Sequence, residues 1–444
     1  MAPQVCLPQV VELVEEAQNA QNESNYEEAE KLWRQVIQLQ PKDAVAYARL
    51  GNVLFAQSRI DEGIAAYQQA IQIKPSANIY NSYADNLRWN NKPVEAMGAY
   101  KAALKLDSKS DVAHTGLGSI YFQQEKYSEA IVEFRQAIAL KPSWDNYELL
   151  GDALLKAEKF DEARIAYREA IKIEPTYSWL HNKIAESFKT QGKISDAIAA
   201  YRQAINVDSG NFFAYTGLAE VLQFPNSIPV LNQYIKQDPK NDVPIRALAY
   251  VYKENQKINE SADAYRQAIK VKPSADNYSS LGNILVEQNK LEEAVVALRQ
   301  AIQIEANDER YGDLAEALVK QNKLSEALAA CQNTIALKNV YYKSYQTCSI
   351  AGFGIYQKQG LNSVITTLRQ LAVKLAPKDM AEVFVNLGYR MKNSDNLKKE
   401  DAIAIFQEAL KLNPKNKQAQ EAIKELQSSQ EIGLLYDTFL DYNF

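Results

Sequence analysis

Apolar and small residues recur along this chain on two scales: a helical spacing of three and four, nested inside a longer period of roughly 34 residues. The segment Tyr127-Ser-Glu-Ala-Ile-Val-Glu-Phe-Arg-Gln-Ala-Ile-Ala-Leu-Lys-Pro142 returns as Phe160-Asp-Glu-Ala-Arg-Ile-Ala-Tyr-Arg-Glu-Ala-Ile-Lys-Ile-Glu-Pro175, and the pattern ends again at Pro41, Pro75, Pro273 and Pro414. Its first small residue falls at Ala29, Gly63, Ala96, Ala130, Ala163 and Ala197, so the step never varies by more than one position. Each period predicts two amphipathic helices. In the second, small residues and an aromatic share one face, as in Ala130/Phe134/Ala137 and Ala163/Tyr167/Ala170. Small residues let helix axes approach, and the aromatic fills the space left between them. Proline then stops the helix, because it has no N–H and clashes with the preceding turn. Pro41, Pro75, Pro142, Pro175, Pro239, Pro273, Pro377 and Pro414, eight of the 14 prolines, take this slot. The first helix carries aromatic–x2–Leu-Gly–x2–apolar, as in Tyr147/Leu150/Gly151/Leu154 and Tyr278/Leu281/Gly282/Leu285. Glycine inside a helix costs about 1 kcal/mol relative to alanine, so close packing is expected to demand it.

These residues resemble the tetratricopeptide repeat family, whose pattern W-x2-L-G-x2-Y … A-x3-F … P has the same period. Tyrosine stands in several units where the family has tryptophan, which accounts for part of the count of 26 tyrosines. The near-verbatim return of Ala-Ile-x2-Tyr-Arg-Gln-Ala-Ile is similar to multi-repeat members of bacterial type. The resemblance implies an all-α chain: a right-handed α-solenoid superhelix of about twelve helix-turn-helix units, closed by a capping helix.

The array departs from its own rule in places. Between Ala197 and Ser261 the chain falls short of two full periods, and the loss lies in Leu222-Gln-Phe-Pro-Asn-Ser-Ile-Pro229. Between Ala327 and Ala402 it overshoots two periods, and the unit around Tyr341–Pro377 reads as one that has lost its small residues. The expected organisation is therefore an extension over 1–9, an array over 10–209, a shortened unit with a bend over 210–241 and a second array over 242–338. An irregular unit follows over 339–377, then a last unit over 378–414, a capping helix over 415–427 and an apolar, acidic tail over 428–444.

Composition narrows the function. Fifty Lys+Arg against 55 Asp+Glu give a net charge of −5, which disfavours a nucleic-acid binder that must displace phosphate counterions. No apolar run approaches the roughly 18 residues that span a bilayer. The start shows no signal-peptide pattern and no convincing lipobox before Cys6, so a cytoplasmic chain is expected, or an exported one if a signal has been trimmed. Three cysteines, Cys6, Cys331 and Cys348, fit a reducing compartment or indifference to redox. Cys331 falls in the aromatic slot of its second helix and reads as core; Cys348 has no assignable place. His114 and His181 fall where the family packs an aromatic between paired helices. No metal, dinucleotide or phosphate-loop motif is present, so neither catalysis nor a cofactor is implied.

Binding is. In the family the first helices line a concave groove, and the resemblance puts Asn52, Asp85, Ser119, Asp152, Glu186, Glu220, Asn283 and Glu316 on it. Five of these eight are acidic, which suits a cationic or amide-rich segment. Arg88, Trp89, Phe122, Trp179 and Phe213 fall on the same face, where exposed aromatics make anchors. The tail carries Leu435, Tyr436, Phe439, Leu440 and Phe444, which either fold onto the last unit or dock a partner or a second copy. The leading reading is a non-catalytic protein-interaction scaffold. The alternative is a recognition or regulatory subunit for an enzyme or assembly machinery on another chain.

Overall fold

A computed structural model describes residues 7–336, 342–372, 377–394 and 398–428. All of its regular structure is helical. The chain divides into two compact halves, Met1–Val221 and Leu222–Phe444. In the first lie α1 (Leu7–Asn22), α2 (Tyr26–Leu39), α3 (Ala44–Ala56), α4 (Ile60–Ile73), α5 (Ala77–Trp89), α6 (Pro93–Leu106) and α7 (Asp111–Gln123). They are followed by α8 (Tyr127–Leu140), α9 (Trp144–Lys156), α10 (Phe160–Ile173), α11 (Ser178–Thr190), α12 (Ile194–Val207) and α13 (Phe212–Leu222), at whose end the division falls. The second half holds α14 (Ser227–Gln237), α15 (Val243–Glu254), α16 (Ile258–Val271), α17 (Ala275–Glu287), α18 (Leu291–Ile304), α19 (Asp308–Lys320) and α20 (Leu324–Ala336). It continues with α21 (Tyr342–Gln359), α22 (Leu361–Ala372), α23 (Pro377–Lys392), α24 (Lys399–Leu412) and α25 (417–428). No described helix is long and apolar enough to cross a membrane.

Each odd-numbered helix from α1 to α11 and from α15 to α23 packs on the even-numbered helix that follows it. Five of the first helices start on side-chain caps: Asp43, Ser76, Ser110, Ser274 and Asn307 each accept an N–H from the first turn. First helices α1, α3, α5, α7 and α9 end in a left-handed residue, with φ of 56–61° at Ser24, Ser58, Asn91, Glu125 and Glu158. Beyond it the chain closes back on the helix, as in Arg59 N–H to Leu54 O at 2.9 Å.

The core repeats one contact. In most repeats the large side chain of the second helix lies over a small residue sixteen positions earlier; in the last, Phe406 lies over Gly388, eighteen positions earlier. Tyr67 covers Gly51, Phe134 covers Gly118, Tyr167 covers Gly151 and Leu298 covers Gly282. A methyl group on Gly151 would sit 2.4 Å from the Tyr167 ring, and one on Gly118 would sit 2.7 Å from Phe134. Where the small residue is alanine, as at Ala84, Ala185 and Ala249 below Tyr100, Tyr201 and Tyr265, it is buried. The same large side chain also reaches the first helix of the next repeat: Tyr67 stacks on Tyr83 at 5.0 Å, and Tyr100 and Tyr201 press on Gly116 and Gly217.

Three sequence expectations need correction. The irregular repeat has lost the small pair of its second helix, where Val364 and Leu371 stand, but keeps the small residue of its first: Gly352 of α21 lies under Leu368 of α22, a methyl there coming within 3.3 Å. Pro377 does not end a helix; it opens α23, a position where the missing N–H costs nothing. Cys331 and Cys348 are joined by a disulfide between α20 and α21, so Cys331 is more than core filler and Cys348 has a place. Around the shortened repeat, α13 and α14 hold 11 residues each, joined through a cis Phe224–Pro225 peptide. Residues Ala419, Ala422 and Leu426 of α25 are buried in the last core cluster. The tail residues singled out above, and Cys6, lie outside the described residues.

Gly151→Ala should destabilise the N-terminal half by about 1–3 kcal/mol through overpacking. Gly98→Ala, at an exposed site in α6 with nothing within 4 Å, should be neutral or stabilise by up to about 1 kcal/mol. Chemical denaturation of the two variants checks the contrast.

Candidate functional site

In the N-terminal half the first helices of successive repeats approach one another directly, α3 to α5, α5 to α7 and α7 to α9. They form the inner row, and the residue just after each small packing residue lies on it. Asn52, Asp85, Asp152 and Glu186 occupy that position, and all four accept a hydrogen bond from the tyrosine fifteen residues later. Tyr67 donates to Asn52 and Tyr100 to Asp85. Tyr167 donates to Asp152 at 2.7 Å, and Tyr201 to Glu186 at 2.6 Å. The ring is buried and its hydroxyl needs an acceptor; the first-helix residue supplies it. Where the slot holds Phe134 or Leu298, which have no hydroxyl, the matching residues are Ser119 and Asn283. Ser119 bonds its own helix at Thr115 O, 2.9 Å away, and Asn283 donates to Asp313 at 3.0 Å.

Cations answer several of these carboxylates. Lys183 lies 2.8 Å from Asp152, and Lys189 bridges Glu186 and Glu220, 3.0 Å from each. Arg88 stands 3.9 Å from Asp85 and covers the Trp89 ring at 4.5 Å. Burial raises Asp85 above the usual carboxylate range against the pull of the Tyr100 hydrogen bond. Burial likewise raises Glu148, with nearby Asp152 adding to it. In the C-terminal half burial pushes Asp313 up to about 6, with Glu309 and Glu316 assisting and the Asn283 hydrogen bond opposing. Glu316 itself is exposed and pairs with Lys320 at 3.1 Å.

The aromatic positions divide. Trp89 is 76% exposed and Phe213 62%. Trp179 is half-buried and meets Phe213 edge-on at 5.4 Å, with the Lys183 ammonium 5.8 Å from its ring. Phe122 instead packs edge-on against Tyr127 at 5.6 Å, inside its helix pair. The two histidines sit in helix pairs: His114 Nδ1 lies 2.7 Å from Glu133, and burial depresses half-buried His181.

A cavity of about 300 Å³ opens on the inner row between α5, α7 and the start of α9. Asp85, Arg88 and Ser119 line it with Asp111, Thr115 and Asp145, a polar mixture of both charges. The sequence reading did not single out the last three, nor Lys183 and Lys189. The fifteen-residue spacing from carboxylate to tyrosine was the available signal. A second, more apolar cavity of about 390 Å³ lies in the C-terminal half against Tyr278, Leu281, Leu285 and Val296. Among the described residues no group of three His, Cys, Asp or Glu side chains is arranged to hold a metal ion.

Sequence profiles of the tetratricopeptide repeat match residues 14–78, 84–143, 115–178 and 246–309, and a second such profile matches 180–211, together more than half of the chain. The chain belongs to the tetratricopeptide repeat family. It is 30% identical over 130 residues to the human Protein O-mannosyl-transferase TMTC3, covering 27% of this chain and 14% of that protein. It is 28% identical over 133 residues to the Mitochondrial import receptor subunit TOM70 of Rattus norvegicus, covering 30% of this chain and 22% of that protein. The chain thus spans less than a quarter of either relative. Among solved structures it is similar to YrrB, described as a TPR protein with an unusual peptide-binding site, at 22% identity and a TM-score of 0.34, covering 41% of this chain and 97% of that one.

Asp152→Ser should cost about 1–3 kcal/mol, because it strands the buried Tyr167 hydroxyl. Adding Tyr167→Phe recreates the Ser119/Phe134 pairing and should recover at least half of that loss. A double-mutant cycle by urea denaturation measures the coupling; strictly additive losses would refute the pairing.

Proposed function

We propose that this chain is a protein-interaction scaffold without chemistry of its own, whose inner row in the N-terminal half takes an extended segment of a partner protein. The observation that carries this reading is the set of exposed aromatics, Trp89 and Phe213 with Trp179, spaced along a row of carboxylates beside a polar cavity. Exposed tryptophan and phenylalanine supply much contact area at small entropic cost. The carboxylates choose the polar side of the ligand. Because Lys183 and Lys189 already answer Asp152, Glu186 and Glu220, the row favours amide-rich segments, which donate and accept, over purely cationic ones. The sequence match to a protein named as an import receptor subunit, within the same repeat family, supports the reading.

A second reading has the chain as the recognition part of an enzyme or assembly machinery carried elsewhere. The match to a protein named as a transferase favours it. Under either reading the inner row is the contact surface.

The test is affinity capture from source cells with the wild type and with Trp89→Ala/Phe213→Ala, followed by titration of a synthetic segment of whatever is captured. The variant should keep its helicity and bind at least tenfold more weakly. A control, Val94→Ala, which removes an exposed apolar residue from second helix α6, should bind as wild type. Equal affinity for all three would defeat the groove reading.

A further inference from the structure

The slot that holds a ring or leucine in neighbouring repeats holds Cys331 in α20. Its small partner sixteen residues earlier, Ala315, is in place and buried. What is missing is the bulk that reaches the next repeat. Cys348 supplies that link covalently: it lies seventeen residues beyond Cys331 in α21, one residue past the position that Tyr83, Gly116 and Gly217 occupy in theirs. Both cysteines are buried, at 0% and 1% exposure, in the core cluster that also contains Ile355, Val364 and Leu368. The rest of the joint is largely apolar packing: Ala351 shares a core with Ala327 and Ala330, and Leu324 and Leu328 lie against the cluster that holds Ile355. Thr347 donates to Asp308 O at 3.4 Å, and Gly354 faces Val319 and Leu324.

We propose that Cys331 and Cys348 form an oxidative cross-link site that replaces ring packing at the α20–α21 joint, so that thiol oxidation fastens α21–α25 to the repeats before them. The chemistry is thiol–disulfide exchange with an external disulfide. One cysteine thiolate attacks the external S–S bond, forming a mixed disulfide and releasing one thiol. The second cysteine thiolate displaces the other half as a second thiol. Two protein thiols thus lose two electrons to the external disulfide, which becomes two thiols, and the protons pass through solvent. Because the sulfurs are sealed, both formation and reduction require the joint to open. Such a pair suits an oxidising compartment, contrary to the reducing one that the low cysteine count suggested.

The experiment uses the full chain carrying Cys6→Ser, equilibrated in glutathione buffers from oxidising to reducing. Peptide mapping without reductant should give one cross-linked species joining the Cys331 and Cys348 peptides. Native hydrogen exchange should then report the joint. Full reduction should speed amide exchange across 342–372 and 377–394 by on the order of 100-fold, the loop-closure effect for this separation, while 44–207 stays unchanged. Cys331→Leu/Cys348→Ala puts into the slot the side chain used at Leu298 and Leu368, and its exchange should ignore the glutathione ratio. Absence of the cross-linked peptide in oxidising buffer would overturn the proposal. So would unchanged exchange in 342–394 on reduction, or a glutathione response in the double variant.

Discussion

The structure hangs on one contact repeated along the chain: a large side chain on the second helix of a repeat lying over a glycine or alanine sixteen residues earlier. The contact is local in sequence, so each helix pair can form it without waiting for distant partners. It also projects forward, since the far side of the same ring meets the next repeat, as Tyr67 meets Tyr83 and Tyr100 meets Gly116. Pairing and stacking are thus the work of a single side chain. That is why glycine survives inside helices where its intrinsic cost is about 1 kcal/mol. A methyl at Gly51, Gly118 or Gly151 would have to displace a ring that holds two repeats at once.

The same contact dictates much of the chemistry of the inner row. When the ring is tyrosine, its hydroxyl emerges beside the residue after the small one, on the inner row. A buried hydroxyl without an acceptor is costly, so Asn52, Asp85, Asp152 and Glu186 serve the core as much as any ligand. Glu220 and Glu316 are followed by no such tyrosine, stand exposed and pair with lysines. Charge on the inner row is therefore not freely adjustable in this chain. Reversing Asp152 or Glu186 disturbs the fold together with the surface, whereas Trp89 and Phe213 can be removed with little structural consequence. Specificity is better sought in the aromatics and in the carboxylates that hold no tyrosine.

The periodic elements were legible in the sequence because proline, glycine and the small–aromatic face each mark a backbone or packing demand at fixed spacing. The packing role assigned to Gly151 and Gly282 was readable for the same reason. The site was less so. A carboxylate at Asp152 looks identical on paper whether it awaits a partner or holds Tyr167, and only the fifteen-residue register separates the two. Phe122 shares its spacing with groove residues yet turns into its own helix pair, because Tyr127 offers an edge-on contact. Gly352 escaped notice because α21 runs to 18 residues and only Gly360 separates it from α22, so the usual turn marks are missing there. Cys331 and Cys348 defeat a count-based argument altogether: three cysteines among 444 residues carry no framework signal, and the pairing of these two follows only once the stacking brings α20 against α21.

The most direct test of this coupling between core and groove is a spectrophotometric titration of the 26 tyrosines, with helicity followed in parallel. Burial raises Tyr67, Tyr100, Tyr167 and Tyr201 above the normal tyrosine range, and carboxylate partners raise the last three further. Exposed tyrosines should ionise near pH 10, while a distinct group that includes these four stays protonated until the helices melt. A single titration near pH 10 that takes in every tyrosine while helicity is intact would contradict the account.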